Sequence, residues 1–560
     1  MKRRSILRLR SAISGQVSLV QGIFGHLDGR QKELEMGLTS SDNMAGILDL
    51  PPEITTVILN LLPGHAIKAL RASCKQINYA ASPFLYPVLY LSCHQLDLEV
   101  FRLVAKNPLL LRGVRELVID DTTLAPSLSD WRIYHAVASW GNLWSDRKRA
   151  YFCENEDKAF DEPGRQWSTG PDKELWELFM GVYKGHHENR LAHADIKALK
   201  QALPGLKSLC SLVMTNRNAD EMHHAGAQSE DSSSPVVKMW RRVGTERRER
   251  PPFPPRCDWW PAWGEPIERT LGNMFSLDWL DDELQRKIDQ EGLPYAEGDN
   301  GEEGRGPGRY LHYTSVRSVA REARALLVAL EVLTDSQMRS QITEFRVDAS
   351  HDMVDQMYQP GLPIRLFDLS SPFPERLATA FGAVTNLTSF HLVISNTYQY
   401  WDGQYIMNQG QVGPVLASMP HLEDLMLEAH CMSTVEAIPD DLTFSRLRRV
   451  EFSCGDIVPE KLVAFVRRHA LTLQTMLIQH CSIDPNEEDG TWEDVVRDIS
   501  TLQKEGTTTL GKARLWNVYG FKPFTGCGKS GTMDFSGSTY DMIYSWDYGV
   551  DDGLVHTMTI

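Results

Sequence analysis

The chain has 560 residues with 42 % apolar and 24 % charged side chains, near the globular average, which excludes a wholly disordered protein. Forty glycines and 29 prolines exclude collagen-like and low-complexity classes, and the net charge of −16 argues against a general nucleic-acid binder or an anionic-membrane binder. No window approaches 18 consecutive apolar residues, so no membrane span is expected, and at about 150 residues per domain the length allows three to four domains, or a repeat array plus a module.

Residues 1–44 read as a disordered polar leader. Lys2, Arg3, Arg4, Arg8 and Arg10 precede the first acid, Asp28, and no continuous apolar stretch follows them, so a secretory signal is not expected. Nine cysteines, an odd number, then read as free thiols of a reducing compartment, cytoplasmic and/or nuclear.

The segment 46–92 reads as a compact helical unit. Pro51 and Pro52 suit a first helical turn, and Glu53 is an acid where the helix dipole favours one. Ile54, Val57, Ile58, Leu61 and Leu62 form one apolar stripe, and Pro63-Gly64 stops the helix. A second helix is expected to carry Ile67, Leu70, Cys74 and Ile77 on one face until Pro83. A core of some 45 residues is marginal, so a covering surface is implied, either a partner or the rest of the chain.

Residues 100–215 read as mixed α/β, the start of a repeat region, with helices in KELWELFMGVYKGHH and DIKALKQAL. An insertion with disordered loops is expected at 216–310. It holds RRVGTERRER, read as a charged loop, and Trp259, Trp260 and Trp263, which are substrate-binding anchors if exposed and pins for the insertion if buried. Ten acids and two bases at 278–303 read as a solvated surface. Val316, Val319, Ala320, Ala323, Leu326, Leu327 and Leu330 predict one amphipathic helix within 315–340.

An L-x-x-L-x-L-like core recurs in VRELVID (114–120), LPGLKSLCSLVM (203–214), VTNLTSFHLVI (384–394), MPHLEDLMLEAHC (419–431), FSRLRRVEFSC (444–454) and LTLQTMLIQHC (471–481). Leu422, Leu447 and Leu473 are 25 and 26 residues apart, inside the range of leucine-rich repeats. PEKLVAFVRRHA reads as the helix between two such strands. The region 311–525 is therefore expected to be an irregular leucine-rich-repeat-like α/β solenoid. The competing reading is an ordinary α/β domain. Cys431, Cys454 and Cys481 read as small buried thiols under successive turns, since they include no C-x-x-C. The tail 526–560 alternates enough to predict a hairpin.

No catalytic motif stands. Gly528-Lys529-Ser530 lacks the glycine of a phosphate loop, Pro523 being in its place. His186-His187-Glu188 has no second His at metalloprotease spacing. No enzyme activity, metal or other cofactor is expected.

LPPEI, the following IL and LL pairs, the Pro-Gly turn, ALRASCK and the trailing A-x-P-x-L-Y-x-x-L-x-L resemble an F-box, particularly those of filamentous fungi. Ile77, where family members often carry an aromatic, and Ser73, where an apolar residue is common, depart from the pattern. The resemblance implies binding to a Skp-type adaptor, and through it a cullin scaffold, with Leu50, Pro51, Pro52, Ile54, Ile58, Leu62, Ile67 and Leu70 as contact residues. It implies a substrate-recruiting subunit of an SCF-type ubiquitin ligase whose repeat region binds a protein substrate, with no nucleic acid and no membrane as partner. The alternative is an F-box scaffold acting outside a ligase.

Overall fold

The computed structural model describes residues 50–121, 173–215, 324–347, 361–395, 404–483 and 492–516, apart from single positions within them, together with two-residue strands at 123–124, 256–257 and 557–558 and a few isolated positions. The leader, most of the 216–310 insertion with Trp259, Trp260 and Trp263, residues 315–323, and nearly all of the 526–560 tail lie outside the described residues. The chain divides into two compact units, one formed by residues up to Leu89 with Leu103–Arg115 and Gly205–Ser208, the other by the remainder.

The first unit is helical. α1 (Pro52–Asn60) starts from extended Pro51, with Pro52 in its first turn, and ends before Pro63. α2 (Gly64–Arg71) follows. The single second helix expected through Ile77 is instead two. Ser73 Oγ donates to Leu70 O at 2.7 Å, and Cys74 turns extended so that its sulfur accepts from Ile77 N at the start of α3 (Lys75–Ala81). A local side-chain bond here competes with helix continuation. Cys74 is accordingly exposed, while Ile67 and Leu70 enter the core. Arg71 Nε donates to Asn78 Oδ1 (3.1 Å) and to the buried Ser82 Oγ (2.9 Å), locking α2 to the end of α3. Arg112 stacks 4.5 Å over the Tyr79 ring and donates to its hydroxyl and carbonyl. Gly113 packs so closely on Pro83 that an added Cβ would lie 1.8 Å from its carbonyl oxygen.

The second unit is α/β. Its strands are β1 (Val88–Ser92, of which Tyr90–Ser92 belong here), β2 (Glu116–Asp120), β3 (Ser211–Thr215), β4 (Glu344–Val347), β5 (Ser389–Ser395), β6 (Asp424–Ala429), β7 (Arg449–Ser453), β8 (Thr475–Gln479) and β9 (Lys512–Trp516). They lie side by side in sequential order, and β2 to β9 are parallel throughout. Two additions complete the sheet: Leu362–Pro363 pairs with the end of β5, and Thr557–Met558 pairs antiparallel with Ala513 and Arg514. The hairpin expected at 526–560 lies outside the described residues, of which the tail contributes only Thr557–Met558.

Helices fill the crossovers: α4 (Gln95–Ala105), α5 (Lys173–Leu191), α6 (Ala194–Ala202), α7 (Arg324–Thr334), α8 (Phe373–Gly382), α9 (Val412–Ala417), α10 (Pro459–Arg468) and α11 (Trp492–Lys504). Only a 3-10 turn, Val435–Ala437, spans β6 to β7 among the described elements. Right-handed crossovers between strands laid down in order carry the connecting helices to one face. On that face Phe381 of α8 stacks edge-on against Phe345 and Phe390, and Phe465 of α10 meets Phe452 in the same way.

The L-x-x-L-x-L pattern is the register of this face. Leu212, Phe345, Phe390, Leu425, Val450, Met476 and Ala513 form one cross-strand row, and Met214, Val347, Leu392, Leu427, Phe452, Ile478 and Leu515 the next. Leu209, Ile342, Leu387, Leu422, Leu447, Leu473 and Leu510 sit two residues before each strand and are all buried. The strands at 342–347 and 510–515 thus belong to the pattern, although Ile, Phe, Val and Ala disguise them. The backbone repeats as well. The carbonyls of Cys210, Thr343, Thr388, Glu423 and Arg448 each accept from two successive amides at the start of the next strand, at 2.8–3.1 Å. Five identical junctions therefore persist across sequence gaps of very different length. Burying one such Leu or Phe contributes about 1.5–3 kcal/mol, and the rows make the sheet's core continuous.

α10 follows its sequence pattern, with Leu462, Val463, Phe465 and Val466 buried. α7 does not present a single apolar face: Arg324 to Leu330 are all buried. A helix apolar nearly all round is one enclosed on several sides.

Candidate functional site

Two surfaces and one buried network stand out. The first surface is α1. Among the sequence-predicted contact residues, Pro51, Pro52 and Ile54 are exposed, and Leu50, Ile58 and Leu62 are half-buried. Ile67 and Leu70 are buried within the helical unit, so they hold the surface up and do not form it. The helix is anchored by Leu59, 3 % exposed, while Ile54, Val57 and Leu61 stand 49 %, 54 % and 63 % exposed. These three fall at i, i+3 and i+7, one helical stripe. An apolar stripe of this kind normally faces a core. Here it faces solvent.

The second surface is the sheet face opposite the apolar rows. Because successive strand residues alternate, the residues between the core positions form their own rows. The first row runs Glu116, Ser211, Glu344, Ser389, Asp424, Arg449, Thr475, and the second Val118, Val213, Arg346, His391, Met426, Glu451, Leu477. Lys512 and Arg514 continue them on β9. Arg346 lies 3.5 Å from both Glu116 and Glu344. Arg449 lies 3.1 Å from Asp424 and 2.6 Å from Glu451, and Gln479 Nε2 donates to Glu451 at 2.7 Å. Burial would raise the Asp424 carboxyl, but the His391 hydrogen bond and the Arg449 charge outweigh it and hold it below the usual range. Burial dominates at Glu451, whose carboxyl is pushed up despite Arg449.

Ser389, His391 and Asp424 have the residue types of a hydrolytic triad. Both partners, however, meet the same ring nitrogen: Nε2 is 3.3 Å from Ser389 Oγ and 3.3 Å from Asp424 Oδ2. A relay needs one partner on each nitrogen, so this grouping does not supply a nucleophile.

Beyond the strand ends the chain turns tightly. Cys454 has φ +58°, and a Cβ on Gly455 would lie 2.5 Å from Met432 O. Asp456–Ile457 then pairs with Ser482–Ile483, and Ser482 Oγ donates to Asp456. The Cys481 thiol donates to Phe452 O and Gln479 O, and burial pushes it up to about 12. Cys454 and Cys481 are thus buried in successive turns. Cys431 lies outside the described residues. Among the described residues no group of His, Cys, Asp and Glu is arranged to hold a metal ion.

The buried network joins three helices to the end of β2. Arg190 Nη1 meets Asp121 at 2.5 Å, Arg324 Nη1 meets Asp121 at 2.7 Å, and Arg324 Nη2 meets both Asp195 oxygens at 2.7 and 2.6 Å. All four side chains are nearly inaccessible, and two arginines balance two aspartates. Burial would raise the Asp195 carboxyl, but Arg324 overrides it and holds it low. Beside the network, burial raises the Cys93 thiol and lowers His94, and burial with the Arg324 charge lowers His193 to about 4. His186 is buried and packs 4.7 Å from His94. Sequence reading passed over this network, because its partners lie 69, 129 and 203 positions apart.

No family model matches the chain, and no curated protein is significantly similar to it. No described helix is long and apolar enough to cross a membrane.

Proposed function

We propose that this chain is the substrate-recruiting subunit of an SCF-type cullin–RING ubiquitin ligase. In this reading it is an F-box protein that docks a Skp-type adaptor through α1. The parallel sheet is an irregular leucine-rich-repeat-like array that holds a protein substrate on its polar face. The observation that carries the reading is the outward-facing stripe Ile54, Val57 and Leu61 beside exposed Pro51 and Pro52. Its support is physical: three large apolar side chains left in water at helical spacing are what helix-in-groove recognition uses. Burying them on an adaptor would contribute about 1.5–3 kcal/mol each.

The chemistry in this reading is proximity. The chain raises the local concentration of a substrate lysine near the charged conjugating enzyme and makes or breaks no bond itself. The work takes place in the cytoplasm and/or nucleus, with no cofactor.

The test is capture of the full chain by purified Skp-type adaptor. Wild type is expected to bind at micromolar affinity or tighter, and an Ile54→Asp/Val57→Asp/Leu61→Asp variant to lose binding with unchanged circular dichroism. A folded wild type that does not bind overturns the reading. Cullin co-capture then separates a ligase subunit from a scaffold acting outside a ligase.

A further inference from the structure

α1 turns Ile54, Val57 and Leu61 to solvent at 49 %, 54 % and 63 % exposure, and they are spaced by three positions and then four. The same spacing recurs ahead of α1 in the leader. Ile6, Leu9, Ile13, Val17, Val20, Phe24 and Leu27 follow one another at intervals of three or four. At ~100° per residue all seven fall within an arc of about 80°. Arg4, Arg8, Ser11, Ser18 and the three glycines Gly15, Gly22 and Gly25 fall on the opposite side. An arc that narrow is the seam of a helix that pairs with one other helix. Val17, Val20 and Phe24 repeat the α1 spacing position for position, three and then four.

From these we infer that the leader lays Val17, Val20 and Phe24 on the α1 stripe, and that an adaptor must displace it to bind. The chain itself supplies the reach. The 22 residues from Asp28 to Asp49 join the two stripes. A flexible linker of that length spans roughly 25 Å on average. α1 is about 13 Å long and paired helices lie ~8–10 Å apart, so either direction of packing is within reach. Such a link holds the leader near the stripe at an effective concentration on the order of 1 mM, well above that of a separate partner. Gly15, Gly22 and Gly25 disfavour a helix standing alone. Ordering the leader therefore draws on the α1 surface, which keeps the cover weak enough to be exchanged. The inference names the regulation of the α1 site, and it rests on the proposed function for what the leader competes with.

The first test uses the full chain with a photo-crosslinking side chain, Glu53→benzoylphenylalanine. Glu53 is exposed on α1 and precedes the stripe, which stays intact. Irradiation is expected to join position 53 to residues 13–27 of the same chain, read by peptide mapping of the monomer. Val17→Asp/Val20→Asp/Phe24→Asp alters none of the described residues. It is expected to reduce that product about tenfold.

The second test titrates purified Skp-type adaptor onto wild type and the triple leader variant, both with Glu53 in place. A leader seated on the stripe in roughly nine chains of ten lowers the apparent affinity about tenfold. The leader variant is therefore expected to bind about tenfold tighter than wild type. Crosslinks that join two chains, fall outside the leader or survive in the leader variant overturn the inference. Equal adaptor affinity of the two forms also overturns it and leaves the adaptor reading standing. A leader crosslink in protein that captures no adaptor in either form supports the docking and overturns only the adaptor reading.

Discussion

Replacing Arg324 by methionine keeps most of the side-chain volume and removes the charge that ties α7 to β2 and α6. Arg324 is 1 % exposed and donates one bond to Asp121 and two to Asp195, all between 2.6 and 2.7 Å. In the variant Asp121 keeps Arg190 at 2.5 Å. Asp195 keeps only weaker help, such as the hydrogen bond from the Ile196 amide. Removing one partner from a buried ion pair costs about 3–5 kcal/mol, chiefly because the remaining charge stays buried. The pH dependence gives the loss a signature. In the wild type the Asp195 carboxyl lies below its ordinary value, so its contribution is present above the unfolded pKa and is lost only as pH falls through the lowered folded one. Without Arg324, burial outweighs the remaining Ile196 amide bond and Arg190 charge and raises the folded pKa above the unfolded one. The variant's penalty should therefore shrink as pH falls from 7 toward about 5. Arg324→Met/Asp195→Asn should recover most of the loss, since the stranded charge is gone. Hydrogen–deuterium exchange of peptides covering 116–121 and 324–334 reads this region directly. At pH 7 the single variant should exchange at least about a hundredfold faster there, as two or more tenfold steps of 1.4 kcal/mol require. Exchange near the wild-type rate, or no recovery in the double variant, would refute the assignment of a stabilising ion network.

Three further outcomes follow from the packing. Cys74 is exposed, whereas Cys93 and Cys481 are buried and their thiols held protonated; iodoacetamide at pH 8 should label Cys74 within minutes and the other two only after urea, read by peptide mapping. Gly455→Ala should lower the melting temperature more than Gly181→Ala, because the new Cβ meets Met432 O at 2.5 Å in the first case and open space on helical backbone in the second. Phe452→Ala empties a fully buried site against Phe465 and should cost about 3–5 kcal/mol by denaturant midpoint.

The strands of this protein were legible because their pattern is local and repeated. Leu422, Leu425 and Leu427, and their counterparts 25 and 51 positions on, announce a two-residue alternation after a buried anchor. The pattern failed at Ile342, Phe345 and Val347, and at Leu510 and Ala513, where the structure asks only for an apolar side chain and leucine is not required. The break after α2 is not legible in the sequence, because the apolar spacing of Ile67, Leu70, Cys74 and Ile77 reads as one helix and the Ser73 and Cys74 bonds end it. The apolar stripe on α1 was read from spacing, but spacing cannot say whether such a stripe faces in or out; Leu59 decided that by taking the core side.

By itself the amino-acid order determined periodicity, and with it the class of the fold: short parallel strands, helices between them and a small helical unit ahead. It did not determine which charges meet. Arg346 reaches Glu116 across 230 positions, and Arg324 reaches Asp195 across 129. The first pairing exists because sequential strands lock in one register, and the second because the crossover helices α6 and α7 come together beside the end of β2; no local stretch of chain encodes either. The buried network and the polar face are therefore properties of the assembled sheet, where side-chain chemistry acquires its neighbours only after the backbone has placed them.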